Sequence, residues 1–321
     1  MTSALRSTPA ETVDPADAVR WRVATAPCSW GTGSSDGAES GRVDADTYLD
    51  EVAASGYEGT ELGPVGFLPD DPGGLAAALE AHDLALPAGW VSIRSGDAGR
   101  RATHVEAALT TARLLRAVGG EDAIVNLGPE PACDPLRTAR AGRIRPRDGL
   151  DEAAMDAFAA EIEAVARAVR HETGLRSAFH PHGASFVETP REIDAFLART
   201  DPQLVDLCFD TGHVALGGGA PADCLRRWRD RVALVHLKDF DPAVVAAADA
   251  EGWGYPDLVG HGVFPELGRG AVPFGAVLEL LHDPPGRGWL VVEQDVLPGL
   301  GTPRASAERN RAYLAELGVP C

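Results

Sequence analysis

The chain has 321 residues, of which 45% are hydrophobic and 24% charged, the balance of a folded protein large enough to bury a substantial core. Its formal charge of −19 opposes a phosphate backbone and so disfavours nucleic acid as a partner, and no apolar run approaches the length of a membrane span. The five cysteines, Cys28, Cys133, Cys208, Cys224 and Cys321, are scattered without a C-x-x-C pair, which removes the signal for a zinc knuckle and suits reduced thiols in a cytoplasmic protein.

Residues 1–20 lack the apolar segment of a secretory leader and read as a flexible N-terminal extension, which leaves 21–321 as one catalytic domain. From there short β-branched or apolar runs alternate with longer amphipathic stretches. Strands are predicted at 23–28, 58–62, 85–91, 123–127, 176–180, 205–209, 233–236 and 289–293. Helical patterns fall near 45–54, 75–81, 104–118, 151–172, 190–198, 221–229, 274–281 and 305–317, with Thr189 before Pro190 as a hydroxyl cap followed by proline. Eight such pairs predict an α/β fold, a single closed (β/α)8 barrel. The rival open, doubly wound sheet loses its dinucleotide-binding version, because no G-x-G-x-x-G follows the first strand. Long loops at 31–43, 128–149 and 240–270 follow strands and so project from the catalytic face; the first, rich in Gly and Ser, reads as a solvated insertion.

Chemistry-bearing residues collect where strands end. SAFHPH at 177–182, LCFDTGH at 207–213, ALVHLKD at 233–239 and WLVVEQD at 289–295 each read apolar first and polar last. A barrel gathers such tips around its mouth. His180, Asp210, His236 and Glu293 would there form a mixed nitrogen and oxygen site for one divalent ion, Mn²⁺ or Co²⁺ in the first instance, with Zn²⁺ and Mg²⁺ within the same ligand chemistry. A lone His or Asp at a strand end is more often a cap than a ligand; four in matching context point to a metal.

Candidates for the base are Lys238, His182 and Glu61, with His213 as the acid. Lys238 follows His236 by two residues and shares its face of the strand, where burial near a metal would lower its pKa; a salt bridge to a strand-end carboxylate is the competing reading. Glu61 ends the second strand and either bonds a substrate hydroxyl or fixes another side chain. Trp30 and Trp90 follow strands one and three and would stack on a sugar face or simply pack. Arg137, Arg140, Arg143, Arg145 and Arg147 form a basic run that reads as a solvated face or subunit contact ahead of an anion clamp, and Arg269, in the LGRG turn at 267–270, is the better candidate to reach substrate.

The segments ATAPCSWG at 24–31, YEGTELG at 57–63, FHPHG, FDTGH, VHLKD and VVEQD resemble, in that order, the xylose isomerase-like TIM barrel superfamily of sugar isomerases, epimerases and apurinic endonucleases. The likeness runs from about Val23 to Leu317 and leans toward the myo-inosose (2-keto-myo-inositol) dehydratase branch. Where most of the superfamily ends strand five with a glutamate ligand, this chain has His180, as that branch does; Asp210, His236 and Glu293 match the remaining ligand positions. The resemblance implies a metal-dependent lyase that dehydrates a keto-cyclitol or keto-sugar by enolisation beside a polarised ketone. The same enolate serves a ketose or keto-cyclitol epimerase or isomerase, the alternative enzyme. A non-catalytic polyol-binding barrel is a third reading, and metal-dependent DNA repair suffers from the charge. The expected partner is thus a small polyol, keto-cyclitol or sugar, with self-association into a homo-oligomer left open.

Overall fold

The computed structural model describes residues 21–32, 43–94, 98–282, 288–295 and 301–320; the predicted extension at 1–20 and most of the first long loop, 33–42, lie outside the described residues. Eight strands are present among the described residues: β1 (Trp21–Thr25), β2 (Gly59–Thr60), β3 (Ala88–Ile93), β4 (Ile124–Pro129), β5 (Arg176–Phe179), β6 (Val205–Asp210), β7 (Val232–Leu237) and β8 (Gly288–Val292). They run parallel in the order β2-β1-β8-β7-β6-β5-β4-β3.

The two ends of that order meet. A parallel bridge joins Gly59 to Ala85, and Leu62 N–H donates to the Ala88 carbonyl at 3.0 Å, so the sheet closes into a barrel. Closure needs a glycine at 59, since a β-carbon there would lie 2.8 Å from the Ala85 carbonyl oxygen. The third strand begins three residues later than predicted, after Pro87, and Ala85 contributes only the bridge.

Each predicted helix is present: α1 (Ala45–Ala54), α2 (Pro72–Ala81), α3 (Arg101–Leu114), α5 (Glu152–Thr173), α6 (Pro190–Leu197), α8 (Pro221–Trp228), α11 (Phe274–His282) and α12 (Pro303–Glu316). Thr189 caps α6 as expected, in a reciprocal box with Glu192. Four short helices, α4 (Pro135–Arg140), α7 (Thr211–Leu216), α9 (Pro242–Glu251) and α10 (Tyr255–Gly260), stand in the loops after strands. No helix among the described residues is long and apolar enough to cross a membrane.

Alternation along the strands divides the barrel into two faces. Val125, Leu127, Phe179, Leu207, Phe209, Val235, Leu237, Leu290 and Val292 point outward into the main core under the helices. Ala24, Ala88, Ile124, Ala178, Cys208, Leu234 and Val291 form a compact plug inside. Two residues beyond the plug on successive strands stand His180, Asp210, His236 and Glu293, and the small plug side chains leave them room to meet.

A third apolar cluster, of Ala141, Ala184, Leu216, Ala248, Tyr255, Leu258, Val259, Val263 and Phe264, roofs the carboxyl-terminal rim. The loops carrying α4, α9 and α10 are therefore packed, not solvated. Asp239 fastens the second of them by accepting the backbone N–H groups of Phe240, Gly268, Gly270 and Val272 at 2.8–3.1 Å. The arginine run corrects the reading of a solvated face. Arg137 is fully buried, donates bidentately to Glu192 at 2.7 and 2.9 Å and reaches the Ser185 carbonyl at 2.6 Å. Arg140 pairs with Asp148, and Arg143 with Asp249 and the Trp253 carbonyl. These guanidiniums stitch the β4–α5 loop to its neighbours.

Removing one partner of a buried ion pair leaves an uncompensated charge. Arg137→Ala is therefore expected to cost about 3–5 kcal/mol in urea unfolding, whereas Arg147→Ala, 71% exposed, should stay within about 0.5 kcal/mol.

Candidate functional site

The four predicted ligands converge. One ligand atom from each of His180, Asp210, His236 and Glu293 lies within 4.8 Å of the others. His180 Nε2 is 3.7 Å and His236 Nδ1 3.9 Å from Asp210 Oδ2, and His236 Nδ1 is 3.3 Å from Glu293 Oε1. Asp210 splits its carboxylate: Oδ1 caps α7 by accepting the His213 N–H at 2.7 Å, and Oδ2 faces the two imidazoles. Asp210 Oδ2 and His236 Nδ1, which face each other in this cluster, are buried without a protein hydrogen-bond partner. Buried polar atoms are seldom left unmet, and these fit a cation.

Electrostatics agree. Burial favours neutral carboxyls, yet His236 and Lys238 hold Glu293 well below the usual range, and His180, Lys238 and His236 lower Asp210. Burial likewise opposes a charged His236, but Cys208, Glu293 and Glu61 outweigh it and hold the imidazole well above its ordinary value. A proton there occupies the place a cation would take.

Glu61 takes the fixing role. Its Oε1 is 3.0 Å from His236 Nε2, so Nε2 carries a hydrogen toward the carboxylate and Nδ1 faces the cluster, where a cation in place of its proton would meet the lone pair, the usual arrangement behind a metal-bound histidine. At Lys238 the competing reading, a salt bridge to a strand-end carboxylate, finds its partner in Glu293. Burial does work to lower its pKa, but Asp295, Glu293 and Asp210 overcome burial and hold it well above the ordinary lysine value. Its Nζ lies 3.2 Å from Glu293 Oε2 and 4.9 Å from the centre of the Phe264 ring, so it is paired with one of the four converging carboxylate and imidazole groups. It is also the only lysine in the sequence.

The His182 and His213 rings lie against each other, tilted by 39°, with centroids 3.9 Å apart. Their tautomers are set by one residue. The Gly183 carbonyl can only accept, so His182 Nδ1 carries the hydrogen that bonds it at 2.7 Å, leaving Nε2 bare. The Gly183 N–H can only donate, so His213 Nδ1 accepts it at 3.1 Å and Nε2 carries the proton, buried and without a protein partner. Burial, then the charges of His180 and Lys238, push His182 down to about 3, and burial with His182 and Lys238 holds His213 well below its ordinary value. One neutral ring offers a lone pair and the other a proton.

The aromatic candidates part company. Trp30 is buried, edge-on to Tyr48 at 5.0 Å, with its Nε1 donating to Glu51 at 2.7 Å; it packs β1 against α1 and does not reach the mouth. Trp90 stands edge-on to His180 at 5.3 Å and His182 at 6.1 Å and forms a wall of the site. Gly128 makes room for it, because a β-carbon there would lie 1.7 Å from the indole. Arg269 is exposed on its turn, outside the buried cluster.

Other residues escaped the sequence reading. Asn126, fully buried on the inner face of β4 between Trp90 and Ala178, leaves both amide atoms unpaired. Its signal was available, a lone amide in the apolar run IVNLG. Tyr255 on α10 lies 5.7 Å from the His182 ring, and Phe264 lies 5.0 Å from that of His213. Glu188, whose carboxyl burial pushes up to about 7, accepts the N–H groups of Gly142 and Ala184, each at 2.7 Å.

Residues 49–317 match the xylose isomerase-like TIM barrel family. The chain is similar to the inosose dehydratase of Geobacillus kaustophilus (strain HTA426), 30% identical over 298 residues that make up 92% of this chain and 94% of that one. It is also similar to the rhizopine catabolism protein MocC of Rhizobium meliloti, 32% identical over 271 residues, 84% of this chain and 81% of that one. Among solved structures, the zinc-bound IOLI protein shares the fold, with a TM-score of 0.67 at 12% identity over 92% of this chain and 97% of that one.

Two outcomes follow from the geometry. Calorimetric titration with Co²⁺ should show one tight site that Asp210→Ala abolishes and Trp30→Phe leaves intact; unchanged binding by the first variant would place the ion elsewhere. In ¹⁵N spectra His182 should appear as the Nδ1–H tautomer and His213 as the Nε2–H tautomer, both neutral as pH falls from 8 to 5. An unfolded histidine takes its proton near pH 6.5, roughly, so these two rings withdraw stability as the pH drops below that value.

Proposed function

The chain belongs to the xylose isomerase-like TIM barrel family, and from that premise we propose that it is a metal-dependent hydro-lyase that removes water from a keto-cyclitol or related keto-sugar. The observation that carries this reading is the pairing of a bare His182 Nε2 with a protonated His213 Nε2 beside four converging ligands. The inosose dehydratase relative supports the substrate class.

In this reading His180, Asp210, His236 and Glu293 hold one divalent ion, Mn²⁺ or Co²⁺ by the mixed donor set, with Zn²⁺ and Mg²⁺ as further candidates. When bound, such an ion polarises a ketone and its neighbouring hydroxyl and acidifies the adjacent C–H. His182 Nε2 takes that proton. His213 gives its Nε2 proton to the hydroxyl that departs from the next carbon, so the C–H and C–O bonds break, a carbon–carbon double bond forms and water leaves. The proton gained by one ring balances the proton lost by the other, and they sit in contact. The Lys238 ammonium faces negative charge that develops on the substrate oxygen. Trp90 offers a wall for the ring, and Asn126 one donor and one acceptor for its hydroxyls. The roof keeps bulk water away.

Incubation with 2-keto-myo-inositol and Mn²⁺ or Co²⁺ should yield an ultraviolet-absorbing enone or diketone. In D₂O an epimerase would instead exchange the α-proton and keep the elemental formula, and that result would displace the lyase. His182→Gln is expected to lower kcat by roughly 10²–10⁴-fold, the usual contribution of a general base, with Co²⁺ binding retained.

A further inference from the structure

Gly183 sets both tautomers through two different peptide groups. Its N–H, which bonds His213, belongs to the His182–Gly183 peptide; its carbonyl, which bonds His182 Nδ1–H, belongs to the Gly183–Ala184 peptide. A peptide group is planar, so whatever holds one end aims the other. The far end of the second plane is the Ala184 N–H, and Glu188 Oε2 grips it at 2.7 Å. The other oxygen, Oε1, takes the Gly142 N–H at 2.7 Å from the β4–α5 loop. Glu188 itself is 1% exposed.

The backbone here adopts a conformation it would not choose. Ala184 has φ of +60°, the left-handed region that a residue with a β-carbon enters only when its surroundings fix it. The surroundings do so at several points. Arg137 Nε donates to the Ser185 carbonyl at 2.6 Å, Ser185 Oγ donates to the His182 carbonyl at 2.5 Å, and Glu192 Oε2 accepts the Glu188 N–H at 3.1 Å. The buried arginine of the β4–α5 loop thereby helps hold the segment that carries the base.

We propose that Glu188 is a positioning residue that acts through the Gly183–Ala184 peptide: by gripping the Ala184 N–H it aims the Gly183 carbonyl at His182, keeps the hydrogen on Nδ1 and leaves Nε2 bare toward the substrate. The assignment rests on the reading of His182 as the base. A carboxylate is needed because two N–H donors converge on it; an amide offers one acceptor and one donor, and one of the two N–H groups would then meet an NH₂.

The test compares the wild type, Glu188→Gln and the double variant Glu188→Gln/Ala184→Gly, all at pH 8. In the double variant the glycine adopts the positive φ without strain and restores stability without restoring the grip. Long-range ¹⁵N–¹H spectra report the two tautomers directly and do not depend on turnover. In both variants His182 should pass from Nδ1–H alone to a mixture of tautomers, while His213, bonded through the other peptide plane, keeps its Nε2–H form. With 2-keto-myo-inositol and Mn²⁺, kcat should fall tenfold or more with KM within twofold.

An unchanged His182 tautomer in either folded variant would overturn the proposal, and so would equal loosening of both histidines, which marks a purely structural role. If Glu188→Gln does not fold, the double variant and Glu188→Asp, which withdraws both oxygens by one methylene, give the same readout. A wild type without turnover sinks the lyase reading, and the tautomers still decide the role of Glu188.

Discussion

Burying carboxylates without enough positive charge is the constraint on which this site depends. Glu61, Asp210 and Glu293 are gathered at the inner end of one mouth, and the described ammonium there is Lys238. Ionised carboxylates out of water demand pairing, coordination or a proton. Here the protein supplies part of the compensation through Lys238 and the His236 imidazole and leaves Asp210 Oδ2 without a hydrogen-bond donor. A divalent cation is the simplest completion, and a fold that excludes it must hold a proton in its stead.

The second half of the site depends on backbone geometry. His182 and His213 are chemically identical side chains in contact, and they differ only because a carbonyl faces one and an N–H faces the other. Division of labour between like groups by environment is a general device of acid–base catalysis. Holding that geometry takes a loop far more heavily bonded than solvent-facing loops are, and the arginines of the β4–α5 loop, with the roof of α4, α9 and α10, provide it.

What could be read from residues alone followed strand periodicity. Each ligand stands two positions past a small or aliphatic residue of the inner plug, Ala178 before His180, Cys208 before Asp210, Leu234 before His236 and Val291 before Glu293, and that alternation is local and visible. Trp30 carried no such mark, since its burial depends on Tyr48 and Glu51 from the following helix. For Lys238 the sequence left open which carboxylates it meets, since Asp295 and Glu293 come from the end of β8, far along the chain. The arginine run hid its partners, Glu192, Asp148 and Asp249, at distances in sequence that no pattern reveals. Glu188 acts only through a peptide plane whose orientation exists in three dimensions.

The chain has one lysine, and the structure holds it charged against Glu293. Ketones condense with unprotonated amines to give imines, and guanidinium groups, protonated at all ordinary pH, do not take part. An exterior whose side-chain cations are arginines therefore offers simple ketones no amine for imine formation, the α-amino group aside. Lys238, the one side-chain amine, is paired with Glu293 and as an ammonium lacks the lone pair that attack requires. Resistance to imine formation with ketone ligands is thus built into the residue choice, and amine-directed reagents would find almost nothing to modify.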